Sequence, residues 1–148
     1  MPACEANGLG VLPWSPLGGG WLAGKYSKDQ RPSGATRLGE DPHRGVEAYD
    51  LRSAQARTWR VLEALHDLAD VHSQSMSRIA LAWLNAQPAV SSVILGARTT
   101  SQLADNLGSV DVALTADDIA TLNTASDPEP SAWPYGAVGR EQRSRVLD

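Results

Sequence analysis

Hydrophobic and polar positions divide the chain into helical and extended stretches. Across residues 52–71, Ala56, Trp59, Leu62, Ala64, Leu65, Leu68 and Ala69 recur at helical spacing with charges opposite, which predicts one amphipathic helix. Residues 75–86 repeat the pattern through Ile79, Ala80, Ala82, Trp83 and Leu84. There Ser75 or Ser77 can cap the start and Pro88 lies just past the end. Thr115-Ala116-Asp117-Asp118 opens another helix, with Thr115 as cap, acids in the first turn, and Ile119, Leu122 and Ala125 as the inward stripe. Two short apolar runs read differently. Residues 10–14 predict a strand, with Pro13 near its end where a missing amide matters least. Val93-Ile94-Leu95 is continuously apolar, as expected of a strand covered on both faces. Residues 2–7 predict the last turn of a helix, stopped by Gly8 in the left-handed conformation. Residues 27–49 are polar and aperiodic and predict a long loop, and residues 110–114 a short connector. From Asp127 on, Pro128, Pro130, Trp133 and Pro134 predict an irregular tail.

A length of 148 residues suits one domain, and 42% hydrophobic with 20% charged residues is ordinary for a globular fold. The net charge of −4 without a Lys/Arg cluster makes nucleic acid and anionic membranes poor partners. Cys4 is the single cysteine, so neither an internal disulfide nor a Cys-based zinc site is expected. No apolar run approaches the ~20 residues of a membrane span, and no signal peptide opens the chain, so a cytoplasmic location is the expectation. His43, His66 and His72 lack metal-pair spacing and read as surface residues, while Trp83 reads as core.

Candidate chemistry concentrates in residues 91–106. Behind the apolar run, Gly96 permits a close turn, and Thr99 or Thr100 can cap the following helix. Free amides at a helix start attract anions, and Arg98 beside them carries a planar fork suited to phosphate. Gln102 and Asn106, four apart, share a helical face and can grip one flat polar ligand. The same sequence also fits an ordinary strand–turn–helix with a solvated Arg.

A second stretch, residues 14–26, carries three consecutive glycines, Gly18 to Gly20, which allow either a flexible loop or very close approach to a ligand. Gly19-x-x-x-x-Gly24-Lys25 meets most of a P-loop pattern. Tyr26 stands where the magnesium-binding Ser/Thr belongs, and no helix pattern follows, so a nucleotide P-loop is not expected.

Gly-Ala-Arg-x-x-x-Gln-x-x-x-Asn after a Val-Ile-Leu run resembles the cofactor signature of the aldo-keto reductases. Trp-Ser-Pro-Leu followed by glycines and Gly-Lys-Tyr is similar to that family's loop after barrel strand seven, and the two stretches stand in the family's order. The resemblance covers residues 1–126, with 127–148 as the tail, and implies an α/β chain. It would be the C-terminal portion of a (β/α)8 TIM barrel: strands seven and eight with their helices. It implies NADP(H) as cofactor. Gly96, Arg98, Gln102, Asp105 and Asn106 would lie at the adenosine 2′-phosphate and adenine, and Trp14, Ser15, Pro16, Leu17, Gly18, Gly19 and Lys25 at the pyrophosphate. Arg37 would stand near the cofactor, or else be a solvated surface Arg. Trp133 to Gly136 would either line a substrate pocket or belong to a packed or floppy tail.

The family's Asp, Tyr, Lys and His tetrad comes from earlier strands, so no catalytic residue and no metal site is assigned here. Reduction of an aldehyde or ketone by NADPH is the implied lineage, with an amino-terminal half supplying the rest. As a truncated reductase the chain would expose unpaired strand edges and self-associate through them. The alternatives are a noncatalytic NADPH-binding module and an interaction remnant without a ligand.

Overall fold

The computed structural model describes residues 2–41, 43 and 45–128. Seven α-helices are formed there: α1 (Pro2–Ala6), α2 (Arg37–Glu40), α3 (Tyr49–Ser53), α4 (Ala56–His72), α5 (Met76–Asn85), α6 (Thr100–Leu107) and α7 (Ala116–Ser126). Three 3-10 turns, Gly18–Ala23, Gly45–Glu47 and Gly108–Asp111, complete the regular structure of the described residues. None of these helices is long and apolar enough to cross a membrane.

Local sequence fixes the helix starts. Ser75, Thr99 and Thr115 each turn a side-chain oxygen onto the backbone N–H three residues on, satisfying an orphan amide of α5, α6 and α7. At α7 the cap is reciprocal: the Asp118 carboxylate accepts the Thr115 N–H at 2.8 Å. That N–H, above all, holds the Asp118 carboxyl below its ordinary range; burial opposes the shift, while the Thr115 hydroxyl and His72 add to it. His72 is therefore no loose surface residue, because its Nε2 lies 3.0 Å from Asp118 Oδ2 and ties the end of α4 to the start of α7. Gly8 takes φ +63°, as its place after α1 requires.

The apolar stripes then meet in one principal core. Leu65, Leu68 and Ala69 of α4 pack on Ile79 and Ala80 of α5 and Leu122 of α7, with Leu17, Trp83 and Leu114 at the margin. Fully burying a side chain of the Leu or Ile class contributes about 1.5–3 kcal/mol, so this cluster holds the three helices together. A second core is aromatic. Trp21 stacks on Tyr49 and meets Tyr26 and Trp59 edge-on, with Leu38 and Leu62 packed beneath.

That aromatic core explains a departure from expectation. The helix expected over residues 52–71 is two helices, α3 and α4, with Gln55 extended between them and Ala56 exposed. The break lets Tyr49 and Trp59 reach Trp21 from separate helices. Tyr49 donates its hydroxyl to the Ser27 carbonyl at 2.7 Å, and Trp59 Nε1 donates to the Ser53 carbonyl at 2.8 Å. The polar stretch 27–49 likewise contains the short helix α2, capped by Thr36 and anchored by fully buried Leu38.

The expected strands are the larger correction. Among the described residues no β-strand forms. Segments 10–14 and 90–94 run parallel but touch only at isolated bridges, Val11 with Val90 and Trp14 with Ile94. Three hydrogen bonds hold them: Val11 N–H to Ala89, Ser91 N–H to Val11 and Ile94 N–H to Pro13. Three steps along one segment face four along the other, so the register slips between the bridges. A lone parallel pair is too weak to make a ladder, and Pro13 has no N–H to give. Ile94 is 54% exposed and Trp14 76%, so the apolar run 93–95 is not covered on both faces. The described residues thus form a helical assembly beside one bridged pair of extended segments, without a sheet.

Candidate cofactor site

The turn leading into α6 is locked by its own side chains. Thr99 Oγ1 accepts the Gln102 N–H at 3.1 Å, and Gln102 Oε1 accepts the Arg98 backbone N–H at 3.0 Å. The Arg98 main chain is thereby fixed just ahead of the helix. Its guanidinium crosses to α2, where Nη2 lies 3.1 and 3.3 Å from the two carboxylate oxygens of Glu40. Gly96 is exposed, with open space where a Cβ would stand and no left-handed φ, so the close turn expected of it is not made.

Further along α6 the expected ligand face divides. Asn106 is buried, at 4% exposure, whereas Gln102 is half-buried and its oxygen already serves Arg98. The two side chains do not present a common grip. Asp105 faces α5 instead of the turn: it accepts the Ser75 hydroxyl at 2.8 Å and pairs with Arg78 Nε at 3.0 Å. Gly108 lies beneath the same guanidinium, and a Cβ there would collide with it. Asp105 therefore docks α6 onto α5.

The glycine stretch is structured. Ser15 and Gly18 to Gly20 all have positive φ, from 52° at Ser15 to 101° at Gly20, which winds the chain into the 3-10 turn Gly18–Ala23. At Gly19 a Cβ would strike the Glu47 carboxylate; at Gly20 it would crowd the Lys25 stem and the Tyr26 ring. Trp21 holds the turn from below, donating Nε1–H to the Glu47 carbonyl at 2.9 Å. The Tyr26 hydroxyl donates to the Gly19 carbonyl at 3.0 Å and accepts the Leu38 N–H at 3.3 Å. Pro16 and Leu17 are half-buried, Leu17 against the principal core, whereas Trp14 and Lys25 are exposed.

Arg37 connects the two regions. Its Nε lies 3.5 Å from Glu47 Oε2, the carboxylate against Gly19, and the helix it opens ends at Glu40 on Arg98. Gly19, Arg37, Arg98 and Gln102 thus belong to one connected array through Glu47 and Glu40; Asp105 faces α5 instead, and Asn106 is buried. Glu40 and Glu47 are the residues that sequence reasoning passed over. They lie in an aperiodic stretch, and nothing in its spacing points to Arg98, 58 residues away. Trp133 to Gly136 lie outside the described residues.

Comparison with known proteins adds lineage. Residues 1–127 match the profile of the Aldo/keto reductase family. An uncharacterized oxidoreductase, YrpG, of Bacillus subtilis (strain 168) is 32% identical over 139 residues, covering 90% of this chain and 39% of the relative. A probable voltage-gated potassium channel subunit beta of Arabidopsis thaliana is 36% identical over 115 residues, covering 76% of this chain and 33% of its own length. L-glyceraldehyde 3-phosphate reductase of Escherichia coli (strain K12) is 28% identical over 135 residues, 90% of this chain and 38% of the enzyme. The chain therefore spans well under half of each of these relatives.

Proposed function

This chain belongs to the aldo/keto reductase family, and we propose that it is the cofactor-binding portion of an NADPH-dependent carbonyl reductase. One observation carries the reading. Arg98, expected at the 2′-phosphate, and Arg37, expected either near the cofactor or as a solvated surface residue, already hold carboxylates in the structure, those of Glu40 and Glu47. Each carboxylate stands in for anionic phosphate oxygens, Glu40 for a 2′-phosphate and Glu47 for the pyrophosphate against bare Gly19. The residues present therefore fit the group. Arg98 would take the 2′-phosphate in a charge-assisted bond, and Arg37 with the Gly18–Ala23 turn would take the pyrophosphate. When bound, the dinucleotide would supply hydride chemistry toward the carbonyl carbon of an aldehyde or ketone. Gln102 fixes the approach of Arg98 through its bond to the main chain, and the buried Trp21 keeps the glycine turn in place. The general acid that protonates the carbonyl oxygen is not assigned to any residue here.

NADPH titration followed by nicotinamide fluorescence tests this reading. Saturable binding is expected, weakened about 10- to 100-fold by Arg98→Ala, the loss typical of a hydrogen bond between charged groups. Absence of binding, or equal binding by the variant, would defeat it. A second reading, a noncatalytic binding module, is favoured by the exposed segment edges at Leu12, Trp14 and Ile94, which leave no enclosed carbonyl pocket among them. Binding without NADPH oxidation when an aldehyde is added, even alongside a separately expressed amino-terminal portion of a relative, would decide for that module.

A further inference from the structure

The Arg98–Glu40 pair is built with more care than a chance surface contact. Glu40 closes α2, a single turn capped by Thr36, whose Oγ1 accepts the Gly39 N–H at 3.0 Å. Leu38, two residues earlier, is fully buried in the aromatic core and its N–H is held by the Tyr26 hydroxyl. Gly39 packs so tightly on the carbonyl of Gly34 that a Cβ there would have to displace it. Glu40 therefore projects from an anchored turn. On the other side, the Arg98 main chain is fixed by Gln102. Both ends of the pair are positioned before any ligand arrives, although each side chain stays half or more exposed, at 50% for Glu40 and 63% for Arg98.

From this we infer that Glu40 sets the choice between NADPH and NADH at this site, lowering the preference for the phosphorylated dinucleotide. The inference rests on the reading of Arg98 as the 2′-phosphate ligand. A guanidinium suits a 2′-phosphate, whereas a carboxylate suits a bare ribose, because it accepts hydrogen bonds from the 2′- and 3′-hydroxyls. This chain presents both groups, already paired. A 2′-phosphate must displace Glu40 from Arg98 and then sit beside its negative charge. A bare ribose meets no such repulsion and gains an acceptor. Arg98 alone would discriminate for NADPH; Glu40 beside it opposes that discrimination.

Unit charges about 4 Å apart in solvent-like surroundings interact by an amount worth roughly fivefold in affinity. The test is therefore a ratio. Dissociation constants for NADPH and for NADH are measured by nicotinamide fluorescence on the wild-type chain, Glu40→Gln, Glu40→Ala and Arg98→Ala, with far-UV circular dichroism as the check on folding. Both Glu40 variants are expected to shift the ratio at least about fivefold toward NADPH, with tighter NADPH binding and unchanged or weaker NADH binding. A purely structural loss would weaken both dinucleotides together and leave the ratio alone. An unchanged ratio in both Glu40 variants, with NADPH binding still lost in Arg98→Ala, overturns this inference and leaves the clamp standing. If Arg98→Ala binds NADPH as the wild type does, or no protein binds either dinucleotide, the clamp reading fails and this inference falls with it.

Discussion

Replacing Asp118 with Asn isolates one charge at the start of α7. The amide keeps an oxygen for the Thr115 N–H, so the capping geometry at 2.8 Å survives while the negative charge is lost. The carboxylate also lies 3.0 Å from His72 Nε2 and is largely withdrawn from solvent, its side chain 14% exposed. A hydrogen bond to an ionised acceptor is roughly twice as strong as a neutral one, a difference of about 1 kcal/mol. A negative charge in the first helical turn adds about 0.3–1 kcal/mol. Asp118→Asn should therefore cost about 1–2 kcal/mol at neutral pH. In urea denaturation followed by far-UV circular dichroism, that is a midpoint lowered by about 0.5–1 M for a slope of about 2 kcal/mol per M, the middle of the usual range. The pH dependence is a second check. The folded carboxyl is held below its ordinary value, first by the Thr115 N–H, so the folded state binds its proton less readily than the unfolded chain. Its contribution is complete above the unfolded value near 3.9 and is lost as pH falls through the lower folded value. The two proteins should diverge at neutral pH and converge in acid. Equal midpoints at pH 7, or a gap that persists below the folded value, would refute the account.

Two further outcomes follow from the core and the bridged segments. Trp21→Phe removes the indole N–H from the Glu47 carbonyl and leaves space among Tyr26, Tyr49 and Trp59; a loss of about 2–4 kcal/mol is expected in urea unfolding, and an unchanged midpoint would show that the glycine turn is held by other means. Leu12 and Ile94 are exposed beside open edges, so the double change Leu12→Lys and Ile94→Lys should reduce concentration-dependent self-association in sedimentation velocity; a wild-type chain that stays monomeric across the same range would remove the basis for that expectation.

What the sequence determined by itself is the set of features whose causes lie within a turn or two of chain. A hydroxyl cap at Ser75 or Ser77, at Thr99 or Thr100 and at Thr115, the stop at Gly8 and the helices α5 and α7 follow from side chains acting on neighbouring amides and from a 3.6-residue repeat, and the structure selects Ser75 and Thr99. The family signature around Arg98 and the glycine stretch was legible for the same reason, since residue types at short fixed spacings carry it. Tertiary structure decided everything that needs a distant partner. Tyr49 and Trp59 gather on Trp21, and one expected helix becomes two. Asp105 turns to Ser75 and Arg78 because α6 must dock on α5. Two strand-like segments stay a pair of bridges because a strand is completed by neighbours, which an apolar pattern cannot supply. Glu40 reaches Arg98 across 58 residues only because buried Leu38 fixes the turn that carries it, and burial of that kind has no short-range signature.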